Sequence, residues 1–185
     1  DYNMNVFNSY TLRFLADQGA ECICLSPELT LEQLTGFGDL RQAELLVHGE
    51  LILMQSQYCL IGQTRAPGLG VCSLPCRSGD YFLRGSRGYI FPLETDRDCR
   101  QYVFNSRVLC LMEDLGRILA LQPASVRIEA LRADTERLGT IVHLYREVMD
   151  QIAAGRRPQL KRYQDQLAEI SGAGLTKGHY YRGVL

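Results

Sequence analysis

The sequence lacks any apolar run long enough to cross a membrane. A transmembrane helix needs roughly 20 consecutive apolar residues, and no segment of the 185-residue chain approaches that length. Residues 1–7 also lack the basic and then apolar pattern of a secretion signal. We therefore expect a cytoplasmic protein that makes no contact with membranes.

The signatures of the common hydrolases are missing as well. The chain has no His-Glu-x-x-His pair for zinc and no Gly-x-Ser-x-Gly turn for a nucleophilic serine, and it contains only three histidines. Metalloproteases and serine hydrolases use these patterns to activate water or serine. A peptidase mechanism in this chain would have to be an unusual one.

Charge of either sign is not concentrated in long blocks. Lysine and arginine number 20, aspartate and glutamate number 21, and the formal net charge is -1. This balance gives no general reason to expect nucleic acid or membrane as a partner. With 46% hydrophobic residues, the chain can bury one sizeable core, so a globular domain is the expected class.

Short apolar runs alternate with segments of helical periodicity. This alternation is typical of parallel strands joined by right-handed helical crossovers. It predicts an α/β fold of four βα units, a partial (β/α) TIM-like barrel, with an open doubly wound sheet as the alternative. The strands are predicted at residues 2–7, 21–26, 43–47 and 125–130, and the helices at residues 9–16, 30–36, 106–119, 134–154 and 158–170.

The stretch after the third strand is rich in glycine and cysteine. Residues 50–103 are too long for a simple connection between a strand and a helix. We interpret them as a metal-binding insertion in a barrel domain of residues 1–155. Residues 156–185 are predicted to form a C-terminal helix and tail.

Seven cysteines are present, which is a high number for a protein of this length. The odd count and the absence of a secretion signal favour metal ligation over disulfides. Cys59, Cys72, Cys76 and Cys99 all lie in residues 50–103. Four thiolates suit either a structural zinc or an iron-sulfur cluster. Zinc sites usually have pairs separated by two residues, so the three residues between Cys72 and Cys76 favour the cluster.

Simpler interpretations apply to the cysteines too. All four in residues 50–103 can be small buried residues without a ligand. Cys22 and Cys24 are two apart in a predicted strand, share one face and are best explained by packing. Cys110 is predicted on the polar side of a helix, which makes it the reserve fourth ligand.

Polar residues follow the predicted strands, where barrel enzymes carry their reactive groups. From these we select Glu28, His48 and Glu129 as candidate catalytic residues. Each has a structural alternative. Glu28 can favour the start of the next helix, His48 can be a turn residue, and Glu129 can pair with Arg127.

Arginines surround the four cysteines of residues 50–103. They can contact the phosphates of an RNA partner, or they can form an ordinary solvated surface. They are Arg77, Arg84, Arg87, Arg97 and Arg100.

Several short sequence strings occur in an order that is typical of one family. They are Asn5-Val6-Phe7-Asn8-Ser9, Leu25-Ser26-Pro27-Glu28-Leu29, Val47-His48-Gly49, Cys72-Ser73-Leu74-Pro75-Cys76-Arg77, Phe91-Pro92, Phe104-Asn105-Ser106, and Thr176-Lys177-Gly178-His179 with Arg182-Gly183. Together they cover nearly the whole chain and resemble peptidase family U32, the collagenase-like peptidases.

The resemblance implies the C-terminal half of a barrel domain, with the N-terminal half of the same barrel as its partner. It also implies an oxygen-sensitive [4Fe-4S] cluster held by Cys59, Cys72, Cys76 and Cys99. The implied chemistry is oxygen-independent hydroxylation of a base in transfer or ribosomal RNA, or of a small aromatic ring. Collagenase-like proteolysis, as the family label says, is the alternative, and a non-catalytic RNA-binding or partner-binding domain with a structural zinc is another.

Two positions depart from the family pattern. Ile52 stands where many members have a further cysteine, so the ligand set needs both Cys72 and Cys76 or the recruitment of Cys110. Ala130-Leu131 stands where similar proteins often have Gly-Arg, which removes an arginine from the end of a strand.

Overall fold

Helices and strands alternate through the part of the chain that the computed structural model describes, residues 1–65 and 72–183. Within that part, no helix is long and apolar enough to cross a membrane. The helices are α1 (Ser9–Asp17), α2 (Leu31–Thr35), α3 (Leu60–Arg65), α4 (Leu115–Ala120), α5 (Thr135–Ala153), α6 (Leu160–Ser171) and α7 (His179–Arg182). The strands are β1 (Ile23–Cys24), β2 (Ala43–Gly49), β3 (Ile52–Ser56), β4 (Tyr81–Arg84), β5 (Ile90–Thr95), β6 (Gln101–Phe104), β7 (Val108–Cys110), β8 (Ser125–Glu129) and β9 (Leu175–Thr176).

These elements divide into two compact units. Asp1–Gly49 and Val108–Leu185 form the first, which we call the main unit. Glu50–Arg107 form the second, which we call the cysteine unit. The predicted metal-binding stretch falls inside the cysteine unit, although its residues 66–71 lie outside the described part. Its role in metal binding stays a prediction.

Strand β2 is the centre of the sheet in the main unit. It pairs in parallel with β1 and β8 and antiparallel with β7, and β7 pairs in parallel with β9. Val6 adds a parallel bridge to Leu25, next to β1. The prediction of an α/β fold is therefore confirmed, but the sheet is mixed rather than wholly parallel because β7 joins it antiparallel. In the residues described, the sheet stays open and does not close into a barrel.

Burial explains why β2 takes this central position. Its residues Leu45, Leu46 and Val47 are almost inaccessible to solvent. Consecutive apolar residues suit a strand that is covered on both faces, because successive side chains point to opposite sides of a sheet. The short apolar run in the sequence is thus a correct indication of a central strand.

Two predicted elements are wrong. Residues 2–7 do not form a strand, because Tyr2–Met4 make a 3-10 turn and Asn5 has a left-handed φ of 50°. The predicted helix at 106–119 begins as strand β7, and only Leu115–Ala120 are α-helical. All three residues of β7 are buried, and a continuous buried run satisfies helical spacing as well as strand spacing.

Helix boundaries agree better with the sequence. Thr30 and Gln33 form a capping box at the start of α2, which lies within the predicted helix 30–36. Helix α5 begins after Asp134, whose side chain accepts a hydrogen bond from the Arg137 backbone N–H. Asn8 caps α1 by accepting from the Thr11 backbone N–H. Capping side chains satisfy backbone donors at helix starts, so they mark these positions well.

The cysteine unit is built on an antiparallel sheet in the order β3-β6-β5-β4. A small core of Ile61, Leu93 and Val103 joins α3 to this sheet. Cys59 and Cys76 pack against the same core. Much of the stretch predicted as a metal-binding insertion is therefore regular sheet structure.

The C-terminal string is tied to the main unit by specific contacts. Lys177 forms ion pairs with Glu113 at 3.2 Å and with Asp114 at 3.0 Å. The buried Tyr180 hydroxyl donates a hydrogen bond to the Leu46 carbonyl of β2. Lys177 and Tyr180 therefore fix the C-terminal segment to the main unit.

Gly49 ends β2 where β8 comes closest. A β-carbon at this position would lie 2.2 Å from the Glu129 carbonyl oxygen and 2.7 Å from its β-carbon, and Gly49 has a φ of 146°. Only glycine fits, because any side chain would clash with the neighbouring backbone. This is the physical reason for the glycine in the His48-Gly49 string.

Replacement of Gly49 by alanine should lower the free energy of unfolding by about 3 kcal/mol, because β2 and β8 must separate to admit the methyl group. Urea denaturation followed by circular dichroism measures this. Gly139→Ala is the matched control, since a β-carbon there meets nothing within 4 Å. Helix propensity predicts that the control is stabilised by up to about 1 kcal/mol. Equal stability of the two variants would contradict the close approach.

Candidate metal centre

The thiols of Cys59 and Cys72 face one backbone position, Gly62 in α3. A β-carbon on Gly62 would lie 3.4 Å from the Cys59 sulfur and 3.8 Å from the Cys72 sulfur. A side chain at Gly62 would therefore contact both sulfurs. Two sulfurs that lie beside the same backbone position can ligate one metal centre, since thiolates bind zinc and iron.

Backbone amides donate hydrogen bonds to both sulfurs. The Gly62 N–H points to the Cys59 sulfur at 3.2 Å, and the Leu74 N–H points to the Cys72 sulfur at 3.4 Å. Hydrogen bonds to cysteine sulfurs stabilise the thiolate form and tune the potential of a bound iron-sulfur cluster. The local backbone therefore suits thiolate ligands.

Cys76 lies on the 3-10 turn Pro75–Arg77, which packs on α3. The Tyr81 hydroxyl donates to the Pro75 carbonyl at 3.2 Å and holds this turn against the sheet. Cys76 is partly buried against the core that contains Ile61. The turn and Cys59 are thus positioned by the same helix.

Cys99 lies in the exposed turn between β5 and β6. The Asp96 carboxylate holds this turn by accepting hydrogen bonds from the backbone N–H groups of Asp98 and Arg100. Two residues after Cys99, the buried Gln101 side chain accepts from the Leu60 N–H, directly after Cys59. The turn and the start of α3 are therefore linked by a hydrogen bond.

Backbone strain occurs twice beside these cysteines. Cys99 has a φ of 60°, and Leu74, between Cys72 and Cys76, has a φ of 54°. Residues with side chains rarely adopt the left-handed region, and such strain is concentrated at functional sites. The strain therefore supports a functional role for these loops.

The four cysteines are not gathered around one point. Among residues 1–65 and 72–183, no three histidine, cysteine, aspartate or glutamate side chains form a group that could hold a metal ion. The structure brings Cys59 and Cys72 together, and the sulfur-rich donor set around Gly62 fits zinc or an iron-sulfur cluster better than a hard cation. Ligation by all four cysteines stays a prediction.

The remaining cysteines lie in the main unit. Cys110 is 2% exposed in β7, not on a polar helix face, and its sulfur lies 3.7 Å from the Tyr145 hydroxyl. Cys24 is buried, and burial together with Glu44 raises the pKa of its thiol to about 11. Cys22 is exposed. A neutral thiol such as Cys24 is suited to packing rather than to metal binding.

The candidate catalytic glutamates differ in environment. Glu28 is exposed after β1, and its backbone N–H donates to the Ser26 hydroxyl. Glu129 is buried at the end of β8 and forms an ion pair with Arg127 at 2.7 Å. Arg127 also contacts Glu44 of β2 at 3.4 Å. A compact group of charges thus lies across β2 and β8.

His48 is 3% exposed at the end of β2. Its Nδ1 lies 3.4 Å from the Tyr145 hydroxyl, and the two rings meet edge to face. Burial, and to a smaller extent the charge of Arg137, lowers the pKa of His48 to about 4. The imidazole is therefore neutral at physiological pH. Whether His48 or the two glutamates act in catalysis stays a prediction.

Three residues that shape these sites were not selected from the sequence. Gly62 is inconspicuous among seventeen glycines. Tyr145 lies in the long helix predicted at residues 134–154, and only the fold brings it to His48. Glu44 had a signal that could have been used, because it is the only charged residue within the otherwise apolar run 43–47. A charge inside a buried strand requires a partner.

Arginines of the cysteine unit fall into two groups. Arg100 forms ion pairs with Asp96 and Asp98, both at 2.8 Å. The others predicted to contact RNA are solvent-exposed: Arg77, Arg84, Arg87 and Arg97.

Comparison with known proteins gives one family and one curated relative. The sequence model described as Peptidase family U32 matches residues 1–184. The chain is similar to the tRNA hydroxylation protein P of Haemophilus influenzae (strain ATCC 51907 / DSM 11121 / KW20 / Rd), with 23% identity over 229 residues. That alignment covers 96% of this chain and 49% of the relative, so the chain spans about half the length of the curated relative. No solved structure gives a significant match.

The low pKa of His48 predicts a pH dependence of stability. The folded value of about 4 lies below the ordinary value of 6.5, so the unfolded chain binds more protons between these two pH values. The free energy of unfolding should therefore fall by up to about 3 kcal/mol as the pH drops through this window. Denaturation curves of the wild type and His48→Gln between these pH values measure the effect. His143→Gln, at an exposed position, should keep the wild-type dependence, whereas His48→Gln should lose this contribution.

The space over Gly62 predicts an effect on metal binding without an effect on folding. Gly62→Ala should keep its melting temperature, because its methyl group meets the two sulfurs at ordinary contact distances. The methyl group would, however, occupy the space beside both thiols, so iron or zinc content after anaerobic reconstitution should fall several-fold. Gly139→Ala is again the control. Full metal content in Gly62→Ala would exclude a centre beside Gly62.

Proposed function

The chain belongs to peptidase family U32, and from that membership and its thiol pair we propose that it takes part in oxygen-independent hydroxylation of a base in transfer RNA. A [4Fe-4S] cluster held by Cys59, Cys72, Cys76 and Cys99 is the proposed cofactor. The observation that carries the proposal is the pair of sulfurs beside Gly62. Similarity to a tRNA hydroxylation protein supports transfer RNA as the substrate class.

Several features of the cysteine unit support this ligand set. The Gly62 and Leu74 amides donate to two of the sulfurs, and α3 positions the turn that carries Cys76. Cys99 lies two residues from Gln101, whose side chain binds the start of α3. A bound cluster would supply one-electron transfer near the substrate. The chain itself would supply the ligands, their hydrogen bonds and partial exclusion of water.

A partial barrel is proposed for the main unit. Val6, β1, β2 and β8 form a run of parallel pairings, which is the arrangement of consecutive strands in a (β/α) TIM-like barrel. The relative is about twice as long as this chain. We propose that a further N-terminal half completes the barrel.

Glu28, His48 and Glu129 are the proposed catalytic residues of that barrel. They follow or end the parallel strands β1, β2 and β8, and barrel enzymes place substrate groups at these carboxyl ends. Arg127 holds the Glu129 carboxylate in place through its ion pair. Neutral His48 has one ring nitrogen that accepts a hydrogen bond and one that donates, so it can orient a polar group of a substrate.

Anaerobic purification followed by visible spectroscopy and metal analysis tests the cofactor. The wild type should be brown with about four irons per chain. Cys76→Ser should lose most of this colour and iron, because it removes one sulfur ligand. Cys22→Ser should keep both, since Cys22 is exposed in the main unit.

The reaction is tested separately by mass spectrometry of transfer RNA nucleosides from cells that lack the gene. Reintroduction of the wild-type gene should restore a nucleoside carrying one additional oxygen, and Cys76→Ser should not. A colourless wild type with one zinc would refute the cluster and favour a structural zinc. Proteolysis that survives the loss of Cys76 would favour the peptidase alternative.

A further inference from the structure

The hairpin of β4 and β5 exposes one face of the sheet in the cysteine unit. Tyr81, Leu83 and Phe91 pack against the core around Ile61. Side chains alternate between the two faces of a strand, so their neighbours project from the opposite face. Those neighbours include Phe82, Arg84 and Ile90.

Apolar side chains on this hairpin are unusually accessible. Phe82 is 51% exposed, and Tyr89 and Ile90 are each 44% exposed. Arg84 is paired in register with Ile90 across the two strands. The Arg107 guanidinium lies 5.8 Å from the centre of the Tyr89 ring. Phe82, Arg84 and Ile90 thus share one exposed face, whereas Tyr89 with Arg107 projects from the other face at the end of the hairpin.

Charge distinguishes this unit from the rest of the chain. Glu50–Arg107 contain seven arginines, no lysine and five acidic residues, which is a formal net charge of +2 in a chain of net charge -1. Arginine both pairs with phosphates and stacks on flat rings, which lysine does less well. The basic residues of this unit are thus of the kind that nucleic-acid surfaces use.

We propose that the end of the β4–β5 hairpin binds single-stranded segments of the substrate RNA. Its binding surface has Phe82, Arg84 and Ile90 on one face, Tyr89 and Arg107 on the other, and Arg87 in the turn between the strands. Bases would stack on Phe82 and Tyr89, and the arginines would contact the phosphates. This inference rests on the proposed function, because it identifies the hairpin as the surface that binds the substrate RNA of that reaction. The net positive charge selects RNA over an apolar peptide as the occupant.

Fluorescence anisotropy with a labelled oligouridylate, and competition by unlabelled transfer RNA, tests this surface. Phe82→Ala should weaken binding about tenfold through lost stacking, whereas Phe82→Tyr should bind like the wild type. Phe14→Ala is the matched control, since Phe14 is 61% exposed on α1 of the main unit. Circular dichroism and iron content should be unchanged in all three variants.

Salt dependence separates phosphate contacts from stacking. The double variant Arg84→Gln with Arg87→Gln should lower the slope of log affinity against log salt by about 1.4. The control double variant Arg156→Gln with Arg157→Gln removes two exposed charges from the main unit and should leave the slope unchanged.

The outcomes distinguish this surface from the proposed function. If the wild type and all hairpin variants bind RNA equally well, the hairpin is not the RNA-binding surface, although the proposed RNA function stands. Equal decreases in RNA affinity in the two arginine double variants would also refute the surface, because binding would then depend on net charge alone. If the wild type binds neither the oligouridylate nor transfer RNA, the proposed RNA function itself is refuted.

Discussion

The close approach of β8 to the end of β2 is the constraint on which the main unit depends. β2 bonds to neighbours on both of its edges, and Gly49 lets the Glu129 backbone come within the space that a side chain would need. The same approach brings Glu129 to the sheet end and places Arg127 next to Glu44. The β2–β8 pairing and the positions of Glu129 and Arg127 therefore depend on this contact.

The cysteine unit has a different organising principle. Its own apolar core is small, with Ile61, Leu93 and Val103 at the centre, and two of its cysteines pack against that core. A small core leaves little free energy to position long loops. Ligation of a metal centre by several cysteines would stabilise such loops directly, because metal binding to a folded site contributes to folding. The proposed cofactor would thus have both a structural and a chemical role.

Much of the fold was predictable where local physics dominates. The capping residues Thr30, Gln33 and Asp134 mark helix starts because they bond to backbone groups three residues away at most. The apolar run of β2 marks a buried strand for a similar reason. The prediction of a helix at Val108–Cys110 was wrong because a strand buried on both faces shows no alternation of apolar and polar residues. The antiparallel pairing of β7 with β2 depends on distant residues, so no local pattern reports it.

The sequence by itself determined the family and the α/β class, because these depend on residue type and order. Only the tertiary structure decided which thiols meet: Cys59 and Cys72 converge on Gly62, while Cys110 is buried beside Tyr145. Only the tertiary structure likewise showed that Arg127 contacts Glu44 across the sheet. Contacts between residues far apart in the chain arise from the packing of whole elements, and spacing along the sequence does not encode them.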